Sequence, residues 1–229
     1  MDPLESVGRP DPHDALRSTG RGGRSVARVL VLFAHPALEK SRCNVRLIAA
    51  AREVEDVTVH DLYEVYPSFD IDVPAEQRRI EEHDAIVFQH PLYWYGTPAL
   101  LKEWQDLVLE HGWAYGSGGT ALVGKTWLAA VTAGGSEETY RRDGLHGGTL
   151  RDFLAPLEGT ARLCGMDPLP PFAVHATLAL TPTEIDGHAA DYARVLAALR
   201  DGAIDRDAAA RLERINAALD AVIRTGEET

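Results

Sequence analysis

Apolar residues along the chain alternate between two patterns. Residues 26–33 (VARVLVLF) form a near-continuous β-branched run, as expected of a strand buried on both faces. A polar loop, AHPALEKS, comes next. Apolar positions at Val45, Leu47, Ile48 and Ala51 then have helical spacing. Residues 57–62 alternate like a strand, residues 74–83 have helical composition, and residues 85–89 (AIVFQ) are a second buried run. The loop HPLYWYGTP leads into a helical stripe of Leu100, Leu101, Trp104, Leu107 and Val108. Residues 127–132 (WLAAVT) read as a further strand.

Residues 149–164 read as helix and 172–175 as a last strand. Thr181-Pro182-Thr183-Glu184 is a capping box with proline at the first helical position, opening a helix to about residue 199. Gly202 breaks the pattern. Leu212, Ile215, Leu219 and Val222 then predict another amphipathic helix. Strands alternating with helices imply a parallel sheet covered on both faces. Five strands suit a flavodoxin-like three-layer α/β sandwich, sheet order 2-1-3-4-5. The expected domains are a disordered leader over 1–25, a body over 26–200 and a helical extension over 201–229.

Composition narrows the function classes. The 229 residues are 45% hydrophobic and 25% charged, the balance of a globular protein. No run approaches the ~18 apolar residues of a membrane-spanning helix, and the first 28 residues lack the apolar core of a signal peptide. The net charge of −12 argues against nucleic acid as a partner. Cys43 and Cys164 lie far apart with no metal-ligand spacing, so reduced thiols and no metal are expected.

In such a sheet, ligands bind where strands end and order reverses, so the loops after strands one, three and four matter. The first carries His35, Ser41, Arg42, Cys43 and Asn44, with Ser41 placed to cap a helix. A capped helix start offers free N–H groups to a phosphate, or is simply a capped helix. The second, Pro91-Leu92-Tyr93-Trp94-Tyr95-Gly96, packs three aromatics together. They suit a flat aromatic ligand or a dimer patch. The third, Thr132-Ala133-Gly134-Gly135, lets backbone approach a ligand edge. Tyr140 and His146 beyond it are a candidate proton-handling pair. Residues 119–126 (GTALVGKT) match a phosphate-binding loop letter for letter, but coil precedes them and strand follows, the reverse of what that loop requires. Lys125 is therefore read as starting strand four.

A phosphate site, an aromatic platform and a polar backbone edge together match flavin mononucleotide. The stretches AHPALEKSRCN, VHDLYEVYPSFDIDVPAEQ, VFQHPLYWYGTPALLKEWQDLVLEHGWAYGSGGTALVGK, TAGG and LPPFAVHATL carry a specific resemblance. The chain resembles the flavodoxin-like NAD(P)H:quinone reductases, which include DT-diaphorase. Within them it is most similar to the ancillary proteins of glutathione-regulated potassium-efflux systems. The resemblance covers about residues 27–200. Residues 1–25 and about 203–229 have no counterpart in it.

The resemblance implies that His35, Ser41, Arg42, Cys43 and Asn44 hold the flavin phosphate and ribityl chain. Pro91, Leu92, Tyr93, Trp94 and Tyr95 would flank the ring, and Thr132, Ala133, Gly134 and Gly135 would face its pyrimidine edge. Tyr140 and His146 would be catalytic. It further implies FMN as cofactor (FAD as the alternative), NAD(P)H as co-substrate, a quinone acceptor, two-electron ping-pong transfer and a homodimer. A regulatory role on a membrane potassium-efflux antiporter, or one-electron carriage, are the alternatives. The implied location is the cytoplasm, at the inner membrane face where a transporter partner holds it.

Overall fold

The computed structural model describes residues 26–224. The leader over 1–25 and the last five residues of the extension lie outside them. Strand β1 (Val29–Phe33) is fully buried, as its unbroken apolar run requires. Helix α1 (Arg42–Arg52) follows, capped by Ser41. Next come β2 (Val57–Asp61), the single turn α2 (Leu62–Val65) and α3 (Val73–Glu81). Strand β3 (Ala85–Pro91) leads to α4 (Ala99–Val108), and β4 (Thr126–Thr132) to α5 (Leu150–Leu163). In α4, Leu100, Leu101, Trp104 and Val108 are buried, whereas Leu107 is exposed. Val45 of α1 is likewise on the solvent side.

All strands pair in parallel, in the order β2-β1-β3-β4 and then a divided fifth strand. Its halves, β5 (Asp167–Pro168) and β6 (Phe172–Val174), both pair with β4. The break falls at Pro170 and Pro171, which have no N–H to give the ladder. This is the flavodoxin-like order 2-1-3-4-5. Helix α6 (Pro182–Arg200) opens with the capping box anticipated at Thr181 and Glu184. It packs beside α1 over one sheet face, while α2 to α5 cover the other, so the core has two layers.

The C-terminal extension differs from its expected form. Instead of one amphipathic helix, it makes two single turns, α7 (Arg206–Ala209) and α8 (Leu219–Val222), with a short 3₁₀ turn between them. Ile215, Leu219 and Val222 are buried in the same core layer as β1 and α6. Tertiary contacts override the helical spacing. The Ile215 N–H donates to Pro171 O (2.9 Å), and the Asn216 side chain exchanges two hydrogen bonds with the Ala173 backbone (3.0 and 2.9 Å). An amide side chain thus completes the open edge of β6, and the extended backbone at Arg214, just before it, interrupts the helical run. Through residue 224 the extension shares the body's core layer.

The GTALVGKT stretch runs through turns into β4, with Lys125 one residue before the strand. The Lys125 ammonium donates to the carbonyls of Glu81 and His83. A cavity of about 500 Å³ at this end, lined by Gly124, Thr126 and Arg206, faces the starts of the strands, away from the ends where such sheets bind ligands.

Candidate functional site

The three loops meet at the carboxyl ends of β1, β3 and β4. A cavity of about 430 Å³ there has one wall of His35, Ser41, Arg42, Cys43 and Asn44. Pro91, Leu92 and Tyr93 form a second wall, and Thr132 and Gly134 a third. The volume lies within the ~300–1,000 Å³ range of small-molecule sites. Lys40, Thr177 and Leu178 also line it and were missed. For Thr177 and Leu178, a signal was available in their position just after the last strand.

The first wall is built around Ser41. Its Oγ accepts from the Asn44 N–H and from Asn44 Nδ2, both at 3.1 Å. Asn44 Nδ2 also donates to Thr132 Oγ1 (2.9 Å), joining the first and third loops. The N–H groups of Arg42 and Cys43 donate to nothing else among the described residues, so a free helix start faces the cavity. Buried Asn44 Oδ1 and both amide atoms of Gln89 have no hydrogen-bond partner there. Unpaired polar atoms this deep are costly in a dry core, and Asn44 itself lines the cavity. The Arg42 guanidinium donates to Leu180 O (2.9 Å), tying this wall to the start of α6.

Burial sets the protonation of several groups. His35 is buried, which pushes its pKa down despite nearby Glu39. The ring is therefore neutral at pH 7. Its Nδ1 accepts from the Ala37 N–H (3.1 Å), which places the proton on Nε2, 3.3 Å from the Tyr93 hydroxyl. His90 is fully enclosed, with its pKa lowered to about 4 by burial. Its Nδ1–H donates to Pro91 O (3.0 Å), fixing the exit from β3. Burial raises the Cys43 thiol against the pull of Arg42, so it stays protonated. Cys43 and Cys164 are both free.

The second loop separates its three aromatics. Tyr93 and Gly96 exchange backbone hydrogen bonds, leaving Trp94 and Tyr95 at positive φ (49° and 64°). Tyr93 packs edge-on against His35. Tyr95 turns the other way, 4.9 Å from Phe153 and with its hydroxyl 3.2 Å from His146 Nδ1. Trp94 is 96% exposed and lines no wall of the cavity.

In the third loop, the Ala133 N–H is taken by Val174 O (2.8 Å). The N–H groups of Gly134 and Gly135 donate to nothing else among the described residues. A Cβ on Gly134 would meet nothing within 4 Å. On Gly135 it would come within 2.7 Å of Thr139 Oγ1, 3.0 Å of Tyr140 and 3.2 Å of His146. Tyr140 and His146 therefore sit directly against Gly135, their rings 4.5 Å apart. Burial, with a smaller contribution from Tyr95, raises the Tyr140 phenol, which remains a donor at neutral pH.

A second polar cluster braces α3 and α4 on the α2–α5 face. Glu76 is fully buried. Its carboxylate accepts from the Tyr66 hydroxyl (2.8 Å) and Trp104 Nε1 (2.9 Å), with His60 Nε2 2.9 Å away. Burial alone would raise its pKa, but His60, Trp104 and Tyr66 together hold it below the ordinary value. Helical spacing gave no hint of this buried acid.

Known proteins are similar to this chain in sequence and fold. A family model described as flavodoxin-like fold matches residues 27–198. The glutathione-regulated potassium-efflux system ancillary protein KefG of Salmonella paratyphi B is 48% identical over 171 residues, covering 75% of this chain and 93% of that protein. The crystal structure of general stress protein 14 from Treponema denticola, in complex with FMN, has a TM-score of 0.72 and 44% identity. The match covers 75% of this chain and 99% of that one. An NADPH-quinone reductase from P. pentosaceus has a TM-score of 0.68 and 31% identity, covering 74% and 97%. No helix among the described residues is long and apolar enough to cross a membrane.

Proposed function

The chain belongs to the flavodoxin-like fold family, and from that premise we propose that it is an FMN-dependent NAD(P)H:quinone oxidoreductase. One observation carries the reading. A single cavity joins the free N–H groups at the start of α1, the Tyr93 ring and the open backbone of Gly134. These features fit FMN part by part, and the unpaired Asn44 Oδ1 gives a polar group at depth. The FMN complex of the Treponema denticola protein supports the same cofactor.

In this reading Ser41, Arg42, Cys43 and Asn44 hold the phosphate and ribityl chain, with the backbone supplying the donors. Tyr93 and Leu92 flank the ring, and Tyr95 holds His146 from the far side of the loop. When bound, FMN supplies two-electron hydride chemistry, accepting from NAD(P)H and giving to a quinone in turn. Gly134 and Gly135 present N–H groups where negative charge develops. The Tyr140 hydroxyl keeps its proton and can donate it. His146 Nδ1 and the Tyr95 hydroxyl share a second proton across 3.2 Å. Trp94, Leu145 and Leu178 are exposed and suit a homodimer that covers them.

The 48% identity to KefG favours a second, compatible role as the ancillary subunit of a potassium-efflux antiporter, which would hold the protein at the inner membrane face. An anaerobic NAD(P)H titration of FMN-loaded protein tests the enzyme reading. Direct bleaching to the two-electron form, reversed by a quinone, is expected. Protein that takes up no FMN, or that stops at a one-electron form, would overturn it.

A further inference from the structure

The extension beyond α6 lies outside the family match, which ends at residue 198. Its docking on β6, through Ile215 and Asn216, places the preceding residue, Arg214, behind the third loop. Arg214 has extended backbone (φ −145°, ψ 140°), and its side chain is 24% exposed. Its guanidinium grips the Glu137 carboxylate with two contacts, Nη2–Oε2 at 2.8 Å and Nε–Oε1 at 3.4 Å. Glu137 is the first residue of the 3₁₀ turn Glu137–Tyr140. One end of that turn is held by the arm, and the other end is Tyr140.

Tyr140 packs in the core at the far end of this turn, whereas the Glu137 end is open. A cavity of about 170 Å³ lies between it and the arm, lined by Tyr140, His175, Arg141 and Arg214. The His175 ring centroid is 5.4 Å from that of Tyr140. The ion pair crosses where side chains leave space. Paired Arg–carboxylate contacts of this kind give directional hold as well as attraction.

We propose that Arg214 is a positioning residue of the redox site. Through Glu137 it sets the turn that holds Tyr140 and His146 against Gly135, so the arm after α6 is part of the catalytic apparatus. The inference rests on the reading of the site as a flavin oxidoreductase. The contribution of a half-exposed pair to global stability is small, and the predicted effect is confined to the turn and the placement of its side chains.

The test uses the full chain with Arg214→Ala, Arg214→Lys and the exchange Arg214→Glu with Glu137→Arg. Two quantities are read: hydrogen exchange of amides 136–147 in flavin-free protein, and the anaerobic rate of flavin reduction in FMN-loaded protein. Arg214→Ala should speed exchange by about threefold as the turn opens locally, the scale of a half-exposed ion pair. It should slow reduction by about tenfold, the scale of a sub-ångström misplacement. FMN affinity and melting temperature should stay near wild type. Arg214→Lys should recover part of both effects, and the exchanged pair most of both. Wild-type exchange and reduction rates in Arg214→Ala would overturn the proposal, as would losses unrelieved by the exchanged pair. Wild-type protein that binds no FMN would instead remove the flavin reading, with the exchange data still deciding whether Arg214 holds the turn.

Discussion

Tyr93 and Gly96 bond to each other twice through the backbone, N–H to carbonyl in both directions, at 3.1 and 3.0 Å. The two-residue turn they enclose forces Trp94 and Tyr95 to positive φ, the arrangement a type I′ turn requires. Two bulky aromatics are poor choices for it, since each adds strain that asparagine or glycine avoids. Tyr95 has partners in His146 and Phe153, whereas Trp94 is almost wholly exposed. Trp94→Asn should therefore stabilise the isolated fold by up to about 1 kcal/mol in denaturant titration. The same variant should lower the dimer fraction in sedimentation, because Trp94 is the most exposed large apolar side chain offered to the proposed homodimer.

Gly134 and Gly135 make opposite predictions. Gly134→Ala places a methyl group in open space at ordinary φ, so the melting temperature of flavin-free protein should barely change. FMN affinity should fall by about tenfold, because the methyl occupies the ligand's side of the backbone. Gly135→Ala drives a methyl group into Thr139, Tyr140 and His146. It should cost about 1–3 kcal/mol of stability and displace both proton-handling side chains. Calorimetric melting and fluorescence titration with FMN would separate the two effects.

Ser41→Ala removes the acceptor for both Asn44 donors. The lost cap should cost about 1 kcal/mol of stability. Asn44 would keep only its bond to Thr132, and FMN should bind more weakly in an equilibrium titration. Equal FMN affinity in this variant would remove the first loop from the phosphate site.

Glu76 should govern acid stability. Its native pKa lies below the ordinary glutamate value of 4.5 because buried donors favour the charged form. Its contribution is therefore complete above pH 4.5 and is lost as pH falls through the depressed native value. Glu76→Gln should cost about 3 kcal/mol at neutral pH, since it unbalances a buried charged cluster. The gap between wild type and variant should narrow below pH 4.5 in urea titrations at stepped pH.

The sequence by itself determined the sheet and its helices. Buried β1, β3 and β4 carry short β-branched apolar runs bounded by polar loops, which is the pattern that marks a strand covered on both faces. The caps at Ser41 and Thr181 act within three residues of chain, so they too could be read from neighbours alone. With strand order came the rule that ligand loops follow the strands, which located His35, Ser41, Asn44, Tyr93, Thr132 and Gly134 around one cavity.

Tertiary structure decided what depends on partners distant in sequence. Asn216 pairs with Ala173 across 43 positions, so a segment with helical spacing became an edge-closing arm. Arg214 reaches Glu137 across 77 positions. Trp94 left the aromatic platform because a two-bond turn fixes backbone direction whatever the side chains are. Glu76 went to the core because three donors from β2, α4 and the chain between α2 and α3 surround it. Periodicity records which residues avoid water. Polar pairing across the fold leaves no period, and only the folded chain shows it.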